Sequence, residues 1–113
     1  MIKKCITAEA IRQYAAASQD LAAIHLDEAA AAKTGFKRPI AHGMYLMGLT
    51  QSLYIAEHPT QWITEYEMKF HKPIEVDNDV IFDFADDNAR VKVTLTTDAG
   101  DLIAAGAFSV KEV

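Results

Sequence analysis

Cysteine is nearly absent from this 113-residue chain, since Cys5 is the only one and has no partner for an internal disulfide. Such usage is typical of a reducing compartment, and we expect Cys5 to be a small buried residue of a first strand. Basic residues are also few: 11 Lys and Arg stand against 16 Asp and Glu, which gives a net charge of −5. A surface that follows nucleic-acid phosphates needs the opposite sign. Nucleic acid is therefore not an expected partner.

Long apolar runs are missing as well. The longest, around residues 44–55, is interrupted by Thr50, Gln51 and Ser52 and is too short to cross a bilayer. We find no targeting segment, so we expect a soluble, cytoplasmic protein without a membrane partner.

Metal-binding and phosphate-binding motifs are absent from the chain. Its four histidines do not occur in HxxxH or HExxH spacing, there is no CxxC, and there is no glycine-rich phosphate loop. We therefore expect no metal and no cofactor. Lys33, Lys37 and Arg38 form one small basic cluster. A solvated helix end is its simplest interpretation, and contact with a phosphorylated ligand is the alternative.

The first half of the chain has helical patterns. Thr7 is a good N-cap for a helix that reaches about Ala17, and residues 18–26 then break the helical spacing. A short alanine-rich helix follows, capped by Asp27 and ended by Gly35. Beyond Pro39, the residues from Ile40 to about Glu57 are apolar on most sides, which predicts a buried helix.

The second half has the alternation of β-strands. The predicted inward faces are Trp62, Thr64, Tyr66, Met68 and Phe70 in one strand, Val80, Phe82 and Phe84 in the next, Val91, Val93 and Leu95 in a third, and Leu102, Ala104, Gly106, Phe108 and Val110 in a fourth. With residues 2–6, about five strands accompany one long helix. We expect a single α+β domain over residues 1–113, an antiparallel sheet curled around that helix. Unpaired edge strands favour a homodimer that joins two sheets and creates a cleft at the seam.

Asp20 and His25 are the most informative side chains, five positions apart in the loop that follows the first helix. A carboxylate and an imidazole held close together can handle one water and one proton. Gly43, at the start of the long helix, offers a bare backbone N–H to a developing oxyanion. His42, just before it, is more typical of a residue that bonds the backbone at a helix start.

Two motifs carry a family resemblance. The first contains Tyr14, Ser18, Asp20, Ile24 and His25, the second contains Pro39, Ile40, His42, Gly43 and Met44, and the later residues Phe70, Pro73 and Val80 also match. The chain resembles the MaoC-like, (R)-specific enoyl-CoA hydratases of the hot-dog fold. The likeness extends over most of the sequence.

The resemblance implies a homodimeric hydratase that acts on acyl-CoA or acyl-carrier thioesters without a cofactor. Asp20 and His25 would activate water and return a proton to the α-carbon, giving an (R)-3-hydroxyacyl product. The Gly43 N–H would bind the thioester oxygen. Met44 and Gln51 would contact substrate, and His42 and Ser18 would support the site.

One departure from the family pattern leaves alternatives open. The Asn-Pro between the two dyad residues is Ala22-Ala23 here, and alanine can neither hold the water nor stiffen the turn. A catalytically weakened acyl-thioester-binding protein is therefore one alternative. A hot-dog acyl-CoA thioesterase is another, since one fold hosts several activities. Acyl chain length, the carrier and the pathway are not determined by the sequence.

Overall fold

The computed structural model describes all residues from 1 to 113. In chain order, its elements are strand β1 (Ile2–Ile6), helix α1 (Ala8–Ser18), a 3₁₀ turn (Ala23–His25), helix α2 (Glu28–Lys33), helix α3 (Gly43–Glu57) and strands β2 (Gln61–Phe70), β3 (Asn78–Asp87), β4 (Arg90–Thr96) and β5 (Leu102–Glu112). The strands form one antiparallel sheet in the order β1-β3-β4-β5-β2. None of the helices combines the length and the apolar character that a bilayer crossing requires.

The core lies between the sheet and one face of α3. Phe82, Leu95 and Phe108 are fully buried on the inner face of the sheet, as the alternation predicts. Burial of each such side chain contributes roughly 1.5–3 kcal/mol. From α3, three residues spaced one helical turn apart are buried against them: Leu46, Thr50 and Tyr54. The predicted arrangement of about five strands around one long helix is confirmed.

Local signals placed the first two helices correctly. The Thr7 hydroxyl accepts a hydrogen bond from the Ala10 N–H at 3.1 Å, and the Asp27 carboxylate accepts one from Ala29 at 3.3 Å. Gly35 follows α2 with φ of 93°, a conformation that suits glycine. The Asp27 cap fixes one end of the segment 18–26, which carries Asp20, and the left-handed Gln19 ends α1 at the other.

Helix α3 begins at Gly43, not at Ile40 as predicted. The Ile40 N–H donates to the Ile24 carbonyl at 3.1 Å, and the Ala41 N–H donates to the Ile74 carbonyl at 2.9 Å. Both partners are distant in sequence, so local pattern could not reveal them. The extended residues before Gly43 are therefore held between the loop after α1 and the segment after β2. This places the start of α3 beside both segments.

The prediction that α3 is buried on most sides is wrong for the single chain. Met44 is 64% exposed, and Gly48 and Gln51 are exposed on the same side of the helix. A Cβ added at Gly48 would meet nothing within 4 Å. Close packing of helix on sheet therefore does not explain this glycine.

The predicted inward face of β2 is wrong over its first half, because a β-bulge interrupts the alternation. Thr64 is an extra residue between the rungs formed by Ile63 and Glu65. A bulge changes which side chains of a strand face the core. Ile63 and Tyr66 pack against the core, whereas Trp62 is 61% exposed.

The edge strands of the sheet are β1 and β2. The expected burial of Cys5 is wrong: its side chain is exposed on β1. Ile6 is fully buried, and adjacent residues of a strand point to opposite faces.

Candidate active site

Asp20 lies in a turn immediately after α1. Gln19, with φ of 61°, ends the helix in the left-handed conformation. The Ser18 hydroxyl then accepts a hydrogen bond from the Asp20 N–H at 3.3 Å, which places Ser18 beside Asp20. The Asp20 carboxylate accepts from the Ala22 N–H at 3.4 Å and remains 54% exposed. The carboxylate is therefore oriented by its own turn while still open to water.

His25 ends the 3₁₀ turn and is partly buried. Its Nδ1 lies 2.8 Å from the Ile40 carbonyl oxygen. A carbonyl oxygen only accepts, so Nδ1 carries the proton in the neutral ring and Nε2 keeps its lone pair. Nε2 has no hydrogen-bond partner within the chain and is not sealed from solvent. It is available as a general base.

His42 is the N-cap residue of α3 and is only 2% exposed. Its Nε2 lies 3.0 Å from the backbone carbonyl oxygen of Asp20 and 4.0 Å from the Asp20 carboxylate. The His42 ring stacks on the His25 ring with centroids 3.7 Å apart. The fold thus brings Asp20, His25 and His42 into one cluster, with one donor or acceptor atom of each within 4.8 Å of the others.

The hydrogen bonds of this cluster bear on metal binding. One ring nitrogen of each histidine is bonded to a backbone carbonyl, and the two rings are nearly parallel. An imidazole that binds a metal directs a nitrogen lone pair at the ion within the plane of its ring. Two stacked rings have nearly parallel planes, so their lone pairs do not converge on one shared ion. The absence of a metal ion from this site stays a prediction. The spacing of the histidines in the sequence and the stacking of the two rings support it.

Gly43 and His25 line the same cavity, which has a volume of about 360 Å³. Gly43 is the first residue of α3, where backbone N–H groups have no intrahelical acceptor, and its N–H has no other partner in the chain. The positive end of the helix dipole adds to this donor. The helix start therefore offers an anion-stabilising group to the same space that the imidazole faces.

The walls of the cavity are mainly apolar. They are formed by Ile40, Ala41, Leu46, Phe70, His71, Lys72, Pro73 and Ile74. Phe70 covers the helix start so closely that a Cβ on Gly43 would lie 3.2 Å from its ring. The sequence prediction missed Ile40, Ile74, His71 and Lys72 as lining residues. The signal available for them was the match of Phe70 and Pro73 to the family pattern on either side of His71.

Other predicted substrate contacts lie outside the cavity of the single chain. Met44 and Gln51 are on the exposed face of α3 and do not line it. Roles for Met44 and Gln51 therefore stay predictions that require a second surface over that face.

The basic cluster is split by the fold. Arg38 pairs with Asp77 at 2.7 Å, whereas the ammonium groups of Lys33 and Lys37 form no ion pair; the backbone N–H of Lys37 donates to the Glu75 carboxylate at 2.7 Å. Lys72 is the cation of the cavity wall, and its ammonium lies 3.4 Å from Asp101. Only Lys72 among these cations is placed to meet a ligand inside the cavity.

The tyrosines packed around α3 remain protonated near neutral pH. Burial raises the pKa of Tyr66 to about 12, and its hydroxyl donates to the Met47 carbonyl at 2.9 Å. Burial also raises the pKa of Tyr45. These hydroxyls are neutral donors, and neither Tyr45 nor Tyr66 lines the cavity.

The sequence model of the MaoC like domain matches residues 2–104. This chain belongs to the MaoC-like family. The predicted membership is confirmed, and so is the α+β hot-dog fold.

Relatives of this MaoC-like domain are named hydratases. A segment of 52 residues, 46% of the chain, is 44% identical to an (R)-specific enoyl-CoA hydratase of Aeromonas caviae, and that segment spans 39% of the relative. The solved structure of an (R)-hydratase from A. caviae involved in PHA biosynthesis has a TM-score of 0.80 at 30% identity, over 99% of this chain and 92% of that one. The unliganded R-hydratase PhaJ1 from Pseudomonas aeruginosa has a TM-score of 0.81 at 28% identity, over 98% and 77%.

Proposed function

We propose that this MaoC-like domain is an (R)-specific enoyl-thioester hydratase that adds water to a trans-2-enoyl-CoA, or removes it in reverse. The observation that carries this proposal is that His25 and Gly43 line one apolar cavity next to Asp20. A base and an oxyanion donor are the two groups that the reaction requires. The names of the relatives support the same reaction class.

In the proposed mechanism, the Asp20 carboxylate and His25 Nε2 hold the attacking water between them. As the water oxygen bonds to C3, one of its protons passes to the dyad and the π electrons shift onto the thioester oxygen. The Gly43 N–H stabilises that oxyanion. The dyad then returns the proton to C2 on the same face, a syn addition that leaves all atoms of the water in the product. The names of the relatives support the (R) configuration of that product.

The cavity also bears on the choice of substrate. Its volume of about 360 Å³ lies at the lower end of the range of small-molecule sites. Leu46, Phe70 and Ile74 present apolar surface that suits an acyl chain. Lys72 is the one cation placed to meet a polar carrier arm, and the choice between CoA and acyl carrier protein stays open.

We further propose that the working form is a homodimer. The exposed Phe70 at the end of edge strand β2 and the exposed Met44 of α3 form apolar surface at the helix start, beside the dyad. A second copy on this surface would shield the exposed Asp20 carboxylate from bulk water. Met44→Glu should give a monomer with reduced activity in analytical ultracentrifugation and turnover assays, and Met44→Leu is the matched control. A Met44→Glu dimer as tight as the wild type would contradict this interface. A cytoplasmic location stays a prediction from cysteine usage.

The loss of enoyl absorbance of crotonyl-CoA, with product configuration determined by chiral chromatography, tests the activity. Asp20→Asn and His25→Ala should each lower kcat roughly 10²–10⁴-fold without unfolding the protein. Asp83→Asn, an exposed carboxylate on β3, is the control. Near-full activity in both dyad variants would refute the mechanism.

Release of free thiol without hydration would support the thioesterase alternative. Acyl-CoA binding without turnover would support the alternative of a catalytically weakened acyl-thioester-binding protein. The replacement of the family's Asn-Pro by Ala22-Ala23 suggests that alternative.

A further inference from the structure

His42 contacts both members of the proposed dyad. Its Nε2 lies 3.0 Å from the Asp20 carbonyl oxygen, and its ring lies 3.7 Å from the His25 ring with 22° between the planes. Tyr14 contacts the same ring edge-on at 4.9 Å. With 2% of its surface exposed, His42 has almost no freedom to move. One buried ring therefore determines the positions of two partly exposed neighbours.

The first contact holds the backbone of the Asp20 turn. Because a carbonyl oxygen only accepts, His42 Nε2 must donate the hydrogen bond. No other group of the chain donates to that oxygen. Ala22 and Ala23 have no polar side chains that could fix the turn, so the His42 bond supplies a restraint that the turn itself lacks.

The second contact holds the ring of His25. The Nδ1–H bond to Ile40 fixes one edge of that ring, and stacking on His42 fixes its plane. The remaining nitrogen of His42, Nδ1, is buried without a partner. The contact with His25 is therefore made by the face of the His42 ring and not by another hydrogen bond.

We propose that His42 is the positioning residue of the dyad, acting on Asp20 through its N–H donor and on His25 through its ring. This role rests on the proposed hydratase function. The two parts of the role reside in different chemical features of one side chain. They can therefore be removed one at a time.

Three variants separate them. His42→Gln keeps an N–H donor without a ring, His42→Phe keeps a ring without a donor, and His42→Ala keeps neither. We expect His42→Ala to lower kcat about 10- to 100-fold, as for a displacement of catalytic groups by about 1 Å, while KM changes less than about threefold. Gln and Phe should each recover part of the loss. Amide hydrogen exchange of residues 20–26 should be faster in Phe and Ala than in Gln.

His58→Gln is the matched control. His58 also stacks on a ring, that of Tyr54 at 4.1 Å, and also bonds a backbone carbonyl, but at the opposite end of α3. It should leave kcat and exchange in the loop unchanged. If all three His42 variants keep kcat within about twofold of the wild type, or if only KM rises, the positioning role is refuted. Equal loss in all three would mean that His42 takes part in the chemistry directly, which also overturns it.

The exchange measurement needs no substrate, so the two proposals can fail separately. If the wild-type protein does not hydrate enoyl-CoA but His42→Ala still speeds exchange over residues 20–26, the proposed reaction fails and the positioning contact stands. If the wild type is active and exchange is the same in all variants, the reaction stands and the positioning role fails.

Discussion

Gly106→Ala should destabilise the protein, although alanine generally suits a strand better than glycine. Gly106 lies in β5 opposite Met68 of β2. An alanine Cβ there would lie 3.0 Å from the Met68 Cα and closer still to the carbonyl oxygen of Glu67. Both are backbone atoms held by the ladder between the strands, so neither can turn aside. The strands themselves would have to separate.

The expected magnitude follows from two opposing effects. Overpacking in a closed space costs up to about 3 kcal/mol, and the lower backbone entropy of unfolded alanine returns at most about 1 kcal/mol. The net loss is about 2 kcal/mol, which lowers Tm by roughly 10 °C in a domain of this size. Thermal and urea unfolding followed by circular dichroism measure it. Ala107→Gly, the reverse change at the next residue, should cost about 0.5–1 kcal/mol through backbone entropy alone.

Whether Gly106→Ala lowers or raises the free energy of unfolding shows which of the two effects is larger. If backbone entropy dominated, Gly106→Ala would be at least as stable as the wild type, and the close approach of β5 to β2 would be refuted. A shifted β2 would also displace Phe70 at its end, so we expect Gly106→Ala to lose some hydratase activity at temperatures where it is still folded.

Three further changes have defined outcomes. Burial raises the pKa of Tyr66 from 10.0 to about 12, so the unfolded chain loses this proton first as the pH rises. The contribution of Tyr66 to the free energy of unfolding should therefore be fully present below about pH 10 and fall towards pH 12. Tyr66→Phe should flatten that part of the plot of urea midpoint against pH. Gly48→Ala should weaken the proposed dimer in sedimentation experiments, because the methyl projects from the face that the second copy covers; an unchanged dimer constant would place Gly48 outside the interface. Gly43→Ala keeps its N–H but pushes on Phe70, so kcat/KM for crotonyl-CoA should fall about tenfold with little change in Tm, and adding Phe70→Ala should restore part of it; an unaffected kcat/KM would contradict close cover of the helix start.

The parts of the fold that depend on local chemistry could be predicted from the sequence. Thr7 and Asp27 cap their helices because a short polar side chain reaches an N–H two or three residues ahead. Phe82 and Val93 are buried because strict alternation places them on one face. The proximity of Asp20 and His25 follows from five residues of chain, and a short turn holds them together.

What could not be predicted depends on distant partners. The bulge at Thr64 exists only in the register of β2 against β5, so the sequence of β2 alone contains no sign of it. The extended start before Gly43 depends on Ile74, more than 30 residues away. The contacts of His42 required both the Asp20 turn and the helix start to be in place. For that reason the motif suggested support for the site but not which atoms it would hold.

The chemistry and the shape of this site are encoded in different stretches of the chain. Asp20, His25, His42 and Gly43 lie within one run of 24 residues. The opposite wall of the cavity, from Phe70 to Ile74, comes from the end of β2 and the segment that follows it. Under the proposed function, substitutions in that second stretch would alter which acyl groups are accepted without changing the residues that carry the reaction. Evolution could therefore change the substrate preference of such a domain while its reaction stays the same.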